Sequence, residues 1–177
     1  MFDKENLPVR FANLQHRQMQ TEEKEIPLVE IQLEINPFTK DLAKELDDFV
    51  RRMLFTATDA EVTSKLKGAA FNLAIRPQAI AIRMAPDQKD ASFVIDEAKI
   101  GVLHAKRSKK SPTWRLVFTA TCAPPSEHQL AQIVDSYLKM RYATFANAVA
   151  GLFDEEEKQE RKARRTAPAT GDTATAH

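Results

Sequence analysis

Glycine is scarce in this chain of 177 residues, which contains only four. No G-x-G-x-x-G and no G-K-[ST] string occurs, so the two common phosphate-cradling loops of nucleotide-binding enzymes are excluded. The single cysteine, Cys122, excludes an intrachain disulfide and a cysteine-based structural zinc site. The commonest motifs of nucleotide-dependent and zinc-dependent proteins are therefore absent.

The chain also lacks an excess of charge of either sign. It has 26 basic and 25 acidic residues and a net charge of +1, which excludes a globally basic nucleic-acid binder and an acidic disordered protein. No apolar run approaches the ~20 residues that a membrane-spanning helix needs. Residues 1–10 carry four charged side chains and no apolar segment of the kind found in secretory signals. We expect a cytoplasmic protein that does not contact a membrane.

Candidate catalytic and metal-binding groups are few and poorly spaced. The four histidines do not form H-x-x-x-H or H-E-x-x-H; they are His16, His104, His128 and His177. Asp47 and Asp48 are neighbours on a predicted helix, where their side chains point about 100° apart and cannot chelate one ion together. Cys122 shares the apolar parity of a predicted strand and is expected in the core. We therefore expect no enzymatic activity, no catalytic residue, no metal and no cofactor.

The first half of the body predicts one strand and one helix. Residues 28–36 alternate apolar and polar side chains with a period of two, which is typical of a half-buried strand. The segment 36–39, with Pro37, is a candidate helix start. Residues 38–54 follow as a predicted amphipathic helix. Its apolar face is expected to contain Leu42, Leu46, Phe49, Val50 and Met53.

The second half predicts several strands followed by a helix. Strands are expected over 71–75, 80–84, 93–95, 98–107 and 113–122. Ser126 and Gln129 have the spacing of a capping box, which opens a second amphipathic helix. Its apolar residues are expected to be Leu130, Ile133, Val134, Tyr137 and Leu138. Residues 142–153 fit either a helix or a last edge strand.

This order of elements predicts the α+β class, a mainly antiparallel twisted sheet with two amphipathic helices. Residues 1–8 are expected to be an N-terminal arm, and 9–153 a single domain. Residues 154–165 mix acids and bases and favour a solvated helical extension. Residues 166–177 are mostly small and polar, so we expect a disordered end to the tail at 154–177.

Several short strings resemble an uncharacterised family of small α+β proteins encoded by bacteriophages. They are Arg10-Phe11-Ala12-Asn13-Leu14, the strand PLVEIQLEIN, Met53-Leu54-Phe55, the strand TWRLVFTATC and Pro124-Pro125-Ser126. The resemblance spans roughly residues 9–146. Genes of this family often lie among phage recombination and replication genes, so the resemblance implies a nucleic-acid context and the host cytoplasm. It transfers no functional residue.

The charges are unevenly distributed along the chain despite their balance. Residues 21–48 contain nine acids and three bases, a net charge of −6. Residues 98–126 contain no acid and six bases, which are Lys99, Lys106, Arg107, Lys109, Lys110 and Arg115. The basic segment is a predicted hairpin with AKRSKKSP at its tip. Such a hairpin can reach a phosphate backbone, and its cations would release counterions on binding.

These observations leave two functions open. The first is a non-enzymatic accessory protein that binds single-stranded or flexible DNA without sequence preference. Its site would comprise the six bases and Trp114, whose ring could stack on a base if exposed, although its parity with Leu116 and Phe118 favours the core. The alternative is an inhibitor or adaptor that binds a host or phage enzyme. Both the hairpin tip and the acidic face could instead be simply solvated, or could meet in a homo-oligomer.

Overall fold

The structure, a computed structural model, describes residues 1–2, 4–20, 25–55, 68–107 and 113–148. These residues form eight strands and three helices. The strands are β1 (Leu7–Gln20), β2 (Glu25–Phe38), β3 (Gly68–Phe71), β4 (Gln78–Arg83), β5 (Phe93–Ile100), β6 (Leu103–Arg107), β7 (Trp114–Cys122) and β8 (Met140–Asn147). The helices are α1 (Lys40–Leu46), α2 (Asp48–Phe55) and α3 (Glu127–Asp135). None of these helices is long and apolar enough to cross a bilayer.

Six of the strands close into an antiparallel barrel. Around the barrel the order is β1, β2, β7, β5, β4 and β8, and β8 pairs with β1 again. β6 and β3 extend the sheet from β7 beyond the barrel. The predicted α+β class, with a twisted sheet and two helices, is therefore wrong. The described chain is mostly strand, its sheet closes, and it has three helices.

The strand that closes the barrel, β1, is not predicted by the sequence pattern. Leu7, Val9 and Phe11 alternate and are buried, but the register with β2 shifts between Phe11 and Asn13. At this bulge the inward-facing positions of β1 change from odd-numbered to even-numbered residues. Leu14 is therefore the next residue opposite an inward residue of β2, Ile31. Because the period of two breaks and the next residues are polar, no strand pattern is visible.

The first residues of the chain belong to the barrel. Phe2 is buried and its ring lies 5.8 Å from that of Phe145, centroid to centroid. Leu7, where β1 begins, is also buried. The arm predicted over residues 1–8 therefore contributes to the core.

The two long strands predicted with the clearest alternation are confirmed. In β2 the odd-numbered residues from Val29 to Ile35 are buried. In β7 the even-numbered residues are buried, namely Trp114, Leu116, Phe118, Ala120 and Cys122. These strands pair along most of their length, so the barrel core forms between their inner faces and the opposite wall.

The strand predicted over 98–107 is interrupted by a small irregularity. Residues 98–100 of β5 and 104–107 of β6 pair with the same edge of β7, and the register shifts by one residue between them. At the shift, the Gly101 N–H donates to the Thr119 carbonyl over 2.9 Å. β5 pairs with β4 inside the barrel, whereas β6 pairs with β3 outside it.

The helix predicted over 38–54 is two helices. Phe38 still belongs to β2, and Thr39 caps α1 by accepting the Leu42 N–H. Asp47 then adopts extended backbone, and its carboxylate accepts the Phe49 N–H over 2.6 Å. A side chain that competes for backbone donors in this way ends one helix and caps the next.

The break at Asp47 changes which side chains of the second helix are buried. Val50 and Leu54 lie in the core, but Phe49 is 58% exposed and Met53 is 41% exposed. The predicted apolar face is therefore wrong at these two positions.

The capping box of the last helix is confirmed, but the helix is shorter than predicted. Ser126 and Gln129 cap each other's backbone N–H groups at the start of α3. The helix ends at Asp135, so Tyr137 and Leu138, which a longer helix would bury, are about half exposed. Residues 140–147 then form β8, a central strand rather than an edge strand or a helix.

Candidate nucleic-acid interface

The strand β6 pairs through its last four residues with the start of β7. The two segments form what we call the basic ribbon, residues 103–107 and 114–117. The side chains of Lys106 and Arg115 lie directly opposite each other and are exposed on its outer face. Like charges in this position are destabilising, since their Cβ atoms are about 5 Å apart. No ion pair joins Lys106 to the part of the chain that the structure describes.

Arg107 lies on the other face of the ribbon. Its register partner is Trp114, and its guanidinium carbon lies 5.9 Å from the centre of the indole ring, a cation–π distance. The strand parity therefore separates Arg107 from Lys106 and Arg115. The six predicted cations do not form one surface.

Trp114 is a core residue. It is 4% exposed and lies on the inward parity of β7, opposite Phe38 of β2. The predicted stacking of a nucleic-acid base on Trp114 is therefore wrong, because the ring faces are already occupied by protein. The shared parity with Leu116 and Phe118 was the sequence feature that favoured the core.

The acidic and basic parts of the chain are neighbours in the barrel wall. Glu34 of β2 lies 3.7 Å from Arg115, too far for a hydrogen bond, and Arg115 stays 45% exposed. Farther along β2, Glu30 accepts a 2.6 Å hydrogen bond from Arg17. The acidic and basic segments that are separate in the sequence are thus adjacent in the fold, although Arg115 is only loosely neutralised by Glu34.

The acidic helix face is also partly neutralised locally. Asp48 binds Arg51 and Arg52 at 2.7 and 3.0 Å. The hydrogen bond from Arg51 and the charges of both arginines lower the pKa of the Asp48 carboxyl. This arrangement favours a solvated face, while docking of that face in a homo-oligomer stays a prediction.

Lys99 lies on the outer face of β5, which pairs with β7 beyond the basic ribbon. Its register partner is Thr121, and it is half-buried and already holds an interaction within the protein. The register partners of Lys99 and Lys106 on β7, Thr121 and Arg115, are six residues apart, about 20 Å along a strand. Lys109 and Lys110, at the predicted hairpin tip, lie outside the described residues.

Cys122 and the described histidines do not form a catalytic or metal-binding cluster among the described residues. Burial raises the pKa of the Cys122 thiol to about 11, which disfavours the reactive thiolate. His104 is exposed on the ribbon's outer face, opposite Val117. Among the described residues, no group of three or more His, Cys, Asp or Glu side chains could hold a metal ion.

Two cavities lie beside α3, and the sequence analysis does not predict either. One, of about 210 Å³, lies between β5, the end of β7 and the start of α3. The other, of about 170 Å³, lies between β1 and α3 and is lined by Leu14, Val134 and Tyr137 among others. Their linings come from separate elements, which strand pairing and the packing of α3 bring together.

Comparison of the chain with protein-family models, curated proteins and solved structures found no match.

Proposed function

We propose that this protein is a non-enzymatic accessory protein that binds single-stranded or flexible DNA without sequence preference. The contacts are electrostatic, between phosphates and cations on the outer wall of the basic ribbon. The observation that carries the proposal is the pair formed by Lys106 and Arg115, which face each other on an exposed surface.

The pair is better suited to a ligand than to the fold. Two cations directly opposite each other repel, and the only carboxylate in an ion pair with them, among the described residues, is Glu34 at 3.7 Å from Arg115. A phosphate between the two side chains would neutralise that repulsion. An arginine and a lysine side by side also provide several N–H donors for phosphate oxygens.

The surroundings of the pair support a path longer than one phosphate. Lys109 and Lys110 follow β6 in the sequence, and Lys99 lies about 20 Å away on the same outer wall. Arg107 and Trp114 are left out of this path because they contact each other on the inner parity. The revised site therefore comprises Lys99, Lys106, Lys109, Lys110 and Arg115. A role among phage recombination or replication proteins would fit this activity.

Charge reversal tests the proposal. The double variant Lys106→Glu/Arg115→Glu should weaken binding of a labelled 20-nucleotide single strand by at least about tenfold, measured by fluorescence anisotropy at low salt. The matched control is Lys4→Glu/Lys89→Glu, which changes the net charge equally at two exposed positions outside the ribbon strands. The proposal fails if the two variants bind DNA equally well.

The alternative function, binding of a protein partner as an inhibitor or adaptor, is favoured by a different surface. Val134 and Tyr137 are exposed and line the cavity of about 170 Å³, and the exposed Leu138 and Met140 follow them in the chain. Clustered exposed apolar side chains are typical of protein interfaces. A stoichiometric polypeptide that survives nuclease treatment and is lost in Val134→Ser/Tyr137→Ser, but kept in the ribbon variant, would favour this function.

A further inference from the structure

The cavity of about 210 Å³ lies at the end of β7 that is farther from the basic ribbon. From Arg115, β7 continues to Cys122, and it is flanked first by β6, which carries Lys106, and then by β5, which carries Lys99 and Ala98. Cys122 lines the cavity from the inner face of β7, and the exposed Asp96, three residues before Lys99 on β5, lines it as well. A ligand that follows the outer wall from the basic ribbon past Lys99 therefore reaches the cavity at Asp96, about 10 Å farther on.

The cavity has apolar walls and an acidic rim. Its apolar lining comprises Phe93, Val94, Ile95, Cys122, Ala123, Pro124, Pro125 and Ile133. Asp96 and Glu97 of β5 complete the lining, and Asp96 is exposed and makes no ion pair or hydrogen bond within the described chain. The rim thus offers a hydrogen-bond acceptor beside an apolar space.

The one amide at the cavity is already used by the fold. The Gln129 side chain accepts the Ser126 N–H over 3.0 Å and donates to the Val94 carbonyl over 3.0 Å. It fixes the start of α3 against β5, which keeps this wall of the cavity in place. Recognition of a ligand by hydrogen bonding therefore falls to Asp96, whose carboxylate accepts and does not donate.

The charges around the cavity exclude a phosphate from its interior. The carboxylates of Asp96 and Glu97 line the cavity, and Lys99 follows them on β5. A phosphate backbone would stay on the Lys99 side, and only an uncharged group could enter. A nucleobase is such a group, with an apolar face and N–H donors at its edge.

We infer that this cavity accepts one unpaired nucleobase of a DNA strand bound to the basic ribbon, with Asp96 accepting from the base's exocyclic amino group. The inference rests on the proposed function and deepens it. A carboxylate pairs well with the amino group of cytosine, whereas thymine has no exocyclic amino group. A base held in a duplex cannot enter, so the cavity would confer preference for single strands.

The test compares labelled dC12, dT12 and a hairpin duplex by fluorescence anisotropy with the full chain. The wild type should bind dC12 about fivefold more tightly than dT12, the value of roughly one net hydrogen bond, and the duplex more weakly than dC12. Asp96→Asn should remove much of the preference for dC12. Ala123→Leu should fill the cavity and also remove the preference, by lowering the affinity for dC12 more than the affinity for dT12.

A matched control separates the cavity from general effects on the helix region. Ala131→Leu adds the same bulk at an exposed position of α3 that does not line the cavity, and should keep the preference for dC12. Equal affinities of the wild type for dC12 and dT12, or a preference that survives Ala123→Leu, would overturn the cavity inference but not the proposed function. Failure of the wild type to bind any of the three DNAs would overturn the proposed function itself.

Discussion

Two basic side chains of the sheet, Arg141 in the barrel and Lys106 on the strand beyond it, have opposite surroundings. Arg141 is buried in β8, and its guanidinium donates to the Ser136 hydroxyl, the Met140 carbonyl and the Asp135 carboxylate over 3.0 to 3.2 Å. Lys106 is exposed and faces another cation, Arg115. A cation whose donors are satisfied within the chain holds the fold together. One that faces a like charge in solvent destabilises it slightly and is available to a ligand.

The largest expected effect is the loss of stability when Arg141 is replaced. Arg141→Ala should lower the free energy of unfolding by about 2 kcal/mol, because three donors to the end of α3 and the start of β8 are lost. Urea denaturation measures this change. Arg141→Lys should recover part of the loss, and the DNA affinity of the folded variant should stay that of the wild type. A loss of DNA binding without loss of stability would contradict the structural role assigned to Arg141.

At Lys106 we expect a substitution to raise stability and to weaken DNA binding. Lys106→Glu replaces a repulsive pair by an attractive one with Arg115, and should raise the free energy of unfolding by roughly 0.2–1 kcal/mol. The same variant should weaken DNA binding. Lys106→Gln, which removes only the repulsion, is the control and should show a smaller gain in stability. A less stable Lys106→Glu variant would mean that Lys106 contributes to the fold.

Arg107 distinguishes the two faces of the ribbon. Arg107→Gln should lower the free energy of unfolding by about 0.5–1 kcal/mol through loss of the contact with Trp114. Its DNA affinity should change by less than about twofold at the salt concentration used for Lys106→Gln, since its guanidinium points away from the proposed path. If both variants lose the same DNA affinity, the two faces are not functionally separate.

The smallest expected effect concerns the pH dependence of the Arg141 site. The hydrogen bond from Lys139, its charge and that of Arg141 lower the pKa of the Asp135 carboxyl below 3.8. A group with a lowered pKa in the folded state contributes stability above its unfolded pKa and loses it as the pH falls through the folded value. The stability difference between wild type and Asp135→Asn should therefore be constant near neutral pH and shrink below pH 3.8. A difference that grows in acid would contradict this account.

The sequence predicts those parts of the fold whose pattern is local. The alternation in β2 and β7 identifies both strands and their buried faces, and the spacing of Ser126 and Gln129 identifies the start of α3. The parity of β7 also argues for Trp114 in the core before any coordinate is known. These features depend on neighbours within a few residues.

The closed barrel is not predictable in the same way. Closure requires β1 to pair with both β2 and β8, and the bulge after Phe11 hides the strand pattern of β1. The break between α1 and α2 depends on one carboxylate, that of Asp47, which caps the Phe49 N–H instead of continuing the helix. Neither event changes the composition or the average hydropathy of its segment.

In the candidate site, too, the sequence predicts the local features and not those that depend on strand pairing. The segment rich in cations is visible in the sequence, but their separation into two faces and the approach of Glu34 to Arg115 depend on strand register. The cavity beside α3 combines β5, β7 and α3 and has no sequence pattern of its own.

The salt dependence of single-stranded DNA binding tests the central claim most directly. Each contacted phosphate contributes roughly 0.7 to the slope of log K against log salt concentration, so the five cations of the revised site predict a slope of about −3.5. Lys106→Glu/Arg115→Glu should reduce its magnitude by about 1.4. A slope near zero, or one that the double variant leaves unchanged, would contradict the account.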